Sequence, residues 1–171
     1  MARLLPSDET LVALPIKMRL VPIGTILIAS ALVTLPFSAN APLMPPFGFM
    51  MLLSWRMLRG DIWPVWIGIP LGLFDDLVSG QPVGSAVALW TVTMLAMEAI
   101  DRRIIWRDFW IDWALAAAGL AIFLVAGAAL ARAGDWSHII ALVGPQFLWS
   151  AMLIPLLMRL AALLDGWRRR S

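Results

Sequence analysis

Residues 68–84 read GIPLGLFDDLVSGQPVG and predict two apolar helices joined by a tight turn. In the first helix, Gly68 and Gly72 lie one turn apart on one face, a spacing that lets two helix backbones approach closely. That helix ends in two adjacent carboxylates, Asp75 and Asp76. The stretch therefore predicts a close-packed helical hairpin with acidic groups beside its turn.

The turn itself is built from residues that suit a sharp reversal. The turn begins after Ser79; Gly80 and Gly84 add no Cβ atoms there, and Pro82 stiffens the backbone between them. The next helix begins with backbone N–H groups that lack intrahelical acceptors, so a carboxylate can bind them.

Asp75 and Asp76 point about 100° apart on a helix and cannot share one role. Two interpretations stay open for them. In the first, a carboxylate braces the hairpin by hydrogen bonds to the next helix. In the second, the pair contacts a partner or ligand at the outer edge of the membrane, because carboxylates inside a membrane are costly unless paired.

The rest of the chain indicates a membrane protein. Of its 171 residues 61% are apolar and 14% are charged, against roughly 25% charged in soluble domains. Because a helix needs about 20 apolar residues to cross the hydrocarbon layer, we expect an all-α protein with six transmembrane helices. The predicted helices cover residues 20–37, 43–58, 62–78, 83–100, 109–131 and 139–164. The second is short and needs Arg56 to extend its side chain toward water.

This pattern divides the chain into three parts. Residues 1–19 are expected to form a cytoplasmic or interfacial N-terminal segment, residues 20–164 the six-helix transmembrane domain, and residues 165–171 a basic cytoplasmic tail. The loops between the helices are too short for a separate soluble domain.

The basic residues predict the orientation. If both termini lie in the cytoplasm, twelve of the thirteen Lys and Arg residues fall on the cytoplasmic side, as the positive-inside rule requires, and only Arg132 falls outside. The basic residues that we expect to anchor this topology are Arg56, Arg59, Arg102, Arg103, Arg107, Arg168, Arg169 and Arg170.

Residues for catalysis or for a metal site are scarce. The chain has one His and no Cys, and it lacks the usual nucleophile, zinc-protease and phosphate-loop motifs. We therefore expect no enzyme activity, no cofactor and no metal. The net charge of +2, with basic residues placed between apolar runs, also gives no face for nucleic acid.

The stretch from Gly72 to Leu89 resembles the MreD family of bacterial rod shape-determining membrane proteins. The family pattern Gly-x-x-x-Asp-Leu-x-Ser-Gly followed by a further Gly is matched by Gly72, Asp76, Leu77, Ser79, Gly80 and Gly84. Pro45, Phe47 and Trp55 also resemble the start of a family helix. Asp75 is an additional carboxylate beside the typical one.

The resemblance implies a multi-pass protein of the bacterial inner membrane whose fold is similar to the substrate-binding component of energy-coupling transporters. It also implies a non-catalytic scaffold of the lateral wall-elongation machinery that maintains rod shape. The implied partners are a single-span MreC-like protein, RodA and a class B penicillin-binding protein, in a complex with MreB. The partner-binding candidates are Gly72, Asp75, Asp76, Ser79, Gly80, Pro82 and Gly84.

Two other functions stay open from the sequence. A small-molecule-binding membrane component of a vitamin-type transporter would need a polar-lined cavity, for which the sequence offers few polar residues. A lipid-modifying enzyme would need several carboxylates that face one pocket.

Overall fold

The computed structural model describes residues 16–32, 44–60, 63–80, 82–103, 108–130 and 136–170, and all regular structure in these ranges is helical. A short 3₁₀ helix, Val65–Ile67, precedes the third helix. The six α-helices are α1 (Ile16–Ala31), α2 (Phe47–Leu58), α3 (Gly68–Ser79), α4 (Ser85–Asp101), α5 (Phe109–Leu130) and α6 (Trp136–Arg170).

Each of the six predicted apolar segments overlaps one of these helices. The expected N-terminal segment lies mostly outside the described residues, apart from the first turn of α1. Helix α6 continues through the predicted tail to Arg170. Asp165 and Arg168 within that run are buried, whereas Trp167 is 63% exposed.

Helix α2 forms the centre of the bundle. All nine residues from Gly48 to Arg56 are buried, and α1, α5 and α6 pack around them. The ring of Phe49 stacks on Phe123 of α5 with centroids 4.3 Å apart. A helix that is apolar on every side is suited to such a position because it has no face to turn toward water.

Arg56 near the end of α2 does not extend toward water as the sequence suggested. It is 5% exposed, and its Nη2 lies 2.9 Å from Oδ2 of Asp101 at the end of α4. It also donates a hydrogen bond to the Gly60 carbonyl. A short central helix can hold this charge because neighbouring elements supply its acceptors.

Helix length separates two elements from the others. α5 and residues Val143–Arg169 of α6 are long and apolar enough to cross a membrane, with mean hydropathies of 2.2 and 2.0. α2 and α3 have 12 residues each, which at 1.5 Å per residue is about 18 Å. The bundle is therefore all-helical, with two helices that meet the length and composition of a membrane span.

The bundle surface is apolar where a soluble protein would be polar. Large hydrophobic side chains are exposed on several helices, including Ile28, Leu77, Leu95, Ile122 and Met152. Polar side chains are buried among the helices instead, including Ser30, Ser54, Thr93 and Ser150. This distribution suits a lipid solvent, because exposed apolar surface then carries no penalty.

Candidate functional site

The predicted hairpin is formed by α3 and α4. Gly80 ends α3 in the left-handed conformation with φ 68°, and Gly84 precedes α4 with φ 99°. The Ser85 N–H donates to the Pro82 carbonyl at 3.0 Å, which closes the turn. Both glycines hold backbone conformations that residues with a Cβ rarely adopt.

Asp76 caps the start of α4 from the neighbouring helix. Its Oδ2 accepts the Gly84 N–H at 2.7 Å, and its Oδ1 accepts the Ala86 N–H at 2.8 Å. The Ser85 hydroxyl donates to Oδ1 at 3.0 Å, and the Val87 N–H reaches Oδ2 at 3.4 Å. These donors have no acceptor within their own helix, and a carboxylate at that positive end is favoured.

The side chain of Asp76 is 1% exposed, so the buried carboxylate is fully occupied as a brace between the two helices. The sequence predicted that one carboxylate of the pair could serve in this way. The structure identifies Asp76 as that residue.

Close backbone packing at Gly72 and Gly68 is the second contact that holds the hairpin together, because both glycines let the α3 backbone lie against α4. A Cβ atom placed on Gly72 would lie 2.7 Å from Cα of Val87 and 2.8 Å from its nitrogen. A Cβ on Gly68 would lie 3.1 Å from Cα of Thr91. The Gly-x-x-x-Gly spacing therefore packs two helices of the same chain together.

We predict that Gly72→Ala destabilises the protein by about 2–3 kcal/mol, because main-chain atoms of α4 must move to admit the methyl group. Gly68→Ala should have a smaller effect. Gly127→Ala is the matched control, since a Cβ there meets nothing within 4 Å. Thermal unfolding of the three purified variants ranks their stabilities. Equal melting temperatures for Gly72→Ala and Gly127→Ala would refute the close packing of α3 against α4 at Gly72.

Asp75 faces α1 and takes no part in capping α4. It is 8% exposed, and its carboxyl group lies beside the side chain of Ser30. The Ser30 hydroxyl oxygen is buried and makes no hydrogen bond of normal geometry within the described residues. A Cβ on Gly48 of α2 would lie 2.0 Å from that oxygen. Asp75 is thus buried at a junction of three helices.

The remaining motif residues support the hairpin backbone. The Ser79 hydroxyl donates to the Asp75 carbonyl at 2.7 Å, one turn earlier in α3. Pro82 is exposed and contributes its carbonyl to the turn. All seven motif residues therefore belong to one hydrogen-bonded hairpin. The hydrogen bonds of Asp76 and Ser79 join parts of this hairpin to each other.

A second polar cluster, which the sequence did not predict, lies where α6 ends. We call it the Asp165 cluster; it consists of Asp165, Arg59, Arg168 and Arg169. The Asp165 side chain is 2% exposed. Its Oδ2 lies 3.2 Å from Nη2 of Arg59 and 3.0 Å from Nη2 of Arg169. Its Oδ1 accepts Nε of Arg168 at 2.6 Å.

Arg168 is buried within this cluster, with its guanidinium carbon 5.3 Å from the centroid of the Trp55 ring in α2. A cation over an indole face is attracted by the ring electrons. The sequence signal that could have revealed the cluster is an Asp followed by arginines three and four positions later, a spacing that brings them together on a helix.

The expected topology anchors differ in their surroundings. Arg56, Arg59, Arg168 and Arg169 are tied into ion pairs at the shared end of α2, α4 and α6. Arg102 forms an exposed pair with Glu98 at 2.5 Å, and Arg103 is exposed. Arg107 and the side chain of Arg170 lie outside the described part of the chain.

Among the described residues, no three His, Cys, Asp or Glu side chains come together in a group that could hold a metal ion. Comparison of the chain with protein-family models, with curated proteins and with solved structures gives no match in any of the three. The geometry of the α3–α4 hairpin and of the Asp165 cluster is therefore the basis for a functional conclusion.

Proposed function

We propose that this protein is a multi-pass protein of the bacterial inner membrane and a non-catalytic scaffold of lateral wall elongation. Its role is to dock an MreC-like single-span protein and, through the same complex, RodA, a class B penicillin-binding protein and MreB. The resemblance of Gly72–Leu89 to the MreD family supplies the identity of these partners. The hydrogen-bonded, closely packed α3–α4 hairpin is the observation that carries the proposal.

The hairpin suits docking because it combines a fixed backbone with an exposed apolar face. Ile69, Leu73 and Leu77 follow one another at intervals of four residues on α3 and are 49%, 42% and 68% exposed. Val83 in the turn is 73% exposed. A transmembrane helix can pack along such a row by van der Waals contact, and a preformed surface lowers the ordering cost of binding.

Substitution on this face tests the docking role. We expect Leu77→Trp to reduce recovery of the single-span partner at least several-fold in affinity purification from native membranes followed by mass spectrometry. Ile122→Trp on α5, where Ile122 is 62% exposed, is the matched control and should leave recovery unchanged. Both variants should keep the wild-type melting temperature, since neither side chain is buried.

The identity of the co-purified proteins decides between functions. Wall-synthesis proteins in the wild-type sample, lost with Leu77→Trp, support the scaffold. An ATPase module in their place would replace this proposal with the vitamin-type transporter component. Equal loss with both Trp variants would show that the hairpin face has no specific role.

The six-span arrangement with both termini inside has its own test. The chain has no Cys, so single cysteines introduced at Arg103, Ser171 and Arg132 report accessibility without background. We expect a membrane-impermeant thiol reagent to label intact spheroplasts at Arg132→Cys alone. Labelling of Arg103→Cys and Ser171→Cys should require opened membranes. If one of these two cysteines were labelled in intact spheroplasts and the other were not, the six-span arrangement with both termini inside would be excluded.

A further inference from the structure

The exposed face of the last third of α6 carries an arginine in apolar surroundings. Arg159 is exposed and forms no hydrogen bond or ion pair within the described residues. Its neighbours on that face are Leu156, Leu160 and Leu163, which are 61%, 45% and 71% exposed. A charged side chain on a lipid-facing surface is costly without a counter-charge, so this arginine calls for an acceptor from outside the chain.

Open space lies further along the same face of α6, two turns beyond Arg159. Gly166 follows seven residues later, which places it two turns on and on nearly the same face. A Cβ atom placed on Gly166 meets nothing within 4 Å. Trp167 next to it is 63% exposed, and tryptophan is typical of the boundary between lipid and water. The helix thus leaves a gap at the level where headgroups would lie.

Two partly exposed arginines lie against Asp165, the residue that precedes Gly166. Arg59 and Arg169 both approach Oδ2 of Asp165, and their side chains are 30% and 54% exposed. One carboxylate oxygen therefore serves both guanidinium groups. Arg59 and Arg169 also keep N–H donors that have no acceptor among the described residues.

We propose that Arg159, Gly166, Arg169 and Arg59 form a binding site for the phosphate headgroup of an anionic phospholipid. Its acyl chains lie along the apolar row of Leu156, Leu160 and Leu163. The charge complementarity favours a phosphate, and the apolar row that leads away from it favours a lipid over a free anion. The site rests on the membrane placement proposed above and is independent of the scaffold role.

Retention of lipid by the purified full-length protein tests the site. Native mass spectrometry in detergent should show phosphatidylglycerol retained over phosphatidylcholine. Arg159→Gln should lower phosphatidylglycerol retention about fivefold, the effect of one arginine near an anionic headgroup. Arg102→Gln is the matched control, because Arg102 is an exposed arginine in a pair away from this face, and it should change retention little.

A second variant separates a built site from a general effect of positive charge. Gly166→Leu keeps every charge but fills the gap, and it should lower phosphatidylglycerol retention as well. Because a side chain there meets open space, the melting temperature in lipid-free detergent should not fall. Added phosphatidylglycerol should raise the melting temperature of the wild type, whereas inorganic phosphate at the same concentration should not.

Several results would overturn the site. Equal retention of the two lipids would do so, as would equal loss with Arg159→Gln and Arg102→Gln, or full retention with Gly166→Leu. Stabilisation by inorganic phosphate alone would assign the site to a free anion. None of these results bears on partner recovery, so the scaffold proposal stands or falls separately.

Discussion

Replacing Asp165 with Ala should destabilise the protein by about 3–5 kcal/mol, the largest effect that we expect from a single substitution. The change removes the carboxylate that Arg59, Arg168 and Arg169 share. The Arg168 side chain is 1% exposed and would keep its charge in a buried place without this counter-ion. Breaking a buried ion pair from one side is costly because the remaining buried charge loses a compensating partner.

Thermal unfolding of the purified variant in detergent measures this loss. The melting temperature of Asp165→Asn should lie between those of Asp165→Ala and the wild type, since asparagine keeps one oxygen acceptor but loses the charge. Glu98→Gln is the control, because it breaks the Arg102 pair, whose side chains are 64% and 31% exposed. Exposed ion pairs contribute roughly 0–1 kcal/mol to stability. If Glu98→Gln lost as much stability as Asp165→Ala, burial would not explain the importance of the Asp165 cluster.

The Asp165 cluster also illustrates what the sequence could not predict. Asp165 and Arg59 are separated by 106 positions, and no local pattern links them. The sequence predicts a basic cytoplasmic tail at residues 165–171, because a run of arginines beside an apolar segment is typical of a topology anchor. Helical spacing alone brings Arg168 and Arg169 to Asp165, whereas only the packing of α6 against α2 brings Arg59 to it.

The sequence also could not predict that α2 lies at the centre of the bundle. In a membrane protein, side chains that face lipid and side chains that face other helices are both apolar, so composition does not tell an inner helix from an outer one. Gly48 carries a weak signal, because its missing Cβ admits Ser30 of α1. The apolar run at 43–58 predicts a short span, and the structure adds that nine consecutive residues of α2 are buried by neighbouring helices.

The α3–α4 hairpin, by contrast, follows from local features. Helix positions, the glycine turn and the close Gly72 contact each involve residues within about 20 positions of one another. The 100° offset between Asp75 and Asp76 already required separate roles for the two. The sequence could not assign which carboxylate caps α4, because that depends on the rotation of α3 against its neighbours.

Replacing Asp76 with Ala should destabilise the protein by about 3 kcal/mol, the second largest effect that we expect. The change leaves the Gly84 and Ala86 N–H groups and the Ser85 hydroxyl without their acceptor in a buried hairpin. Buried donors without acceptors cost about 1–3 kcal/mol, and the loss of a helix cap adds to this. Thermal unfolding in detergent gives the comparison with wild type.

Two amide variants separate capping from the mere presence of a carboxyl group. Asp76→Asn keeps one acceptor oxygen but turns an NH₂ group toward a backbone N–H, so we expect a loss of about 1–2 kcal/mol. Asp75→Asn is the control of similar shape, and it should change stability by less than about 1 kcal/mol because Asp75 caps no helix. A larger loss for Asp75→Asn than for Asp76→Asn would reverse the assignment of the brace.

Partner recovery with Asp76→Ala connects this prediction to the proposed function. If the hairpin must be rigid to dock a partner helix, recovery should fall even though Asp76 is 1% exposed and cannot touch the partner. Leu77→Trp should lower recovery without lowering the melting temperature, whereas Asp76→Ala should lower both. Full recovery with a destabilised Asp76→Ala protein would mean that docking does not depend on the fixed geometry of α3 and α4, and the scaffold surface would then have to lie elsewhere on the bundle.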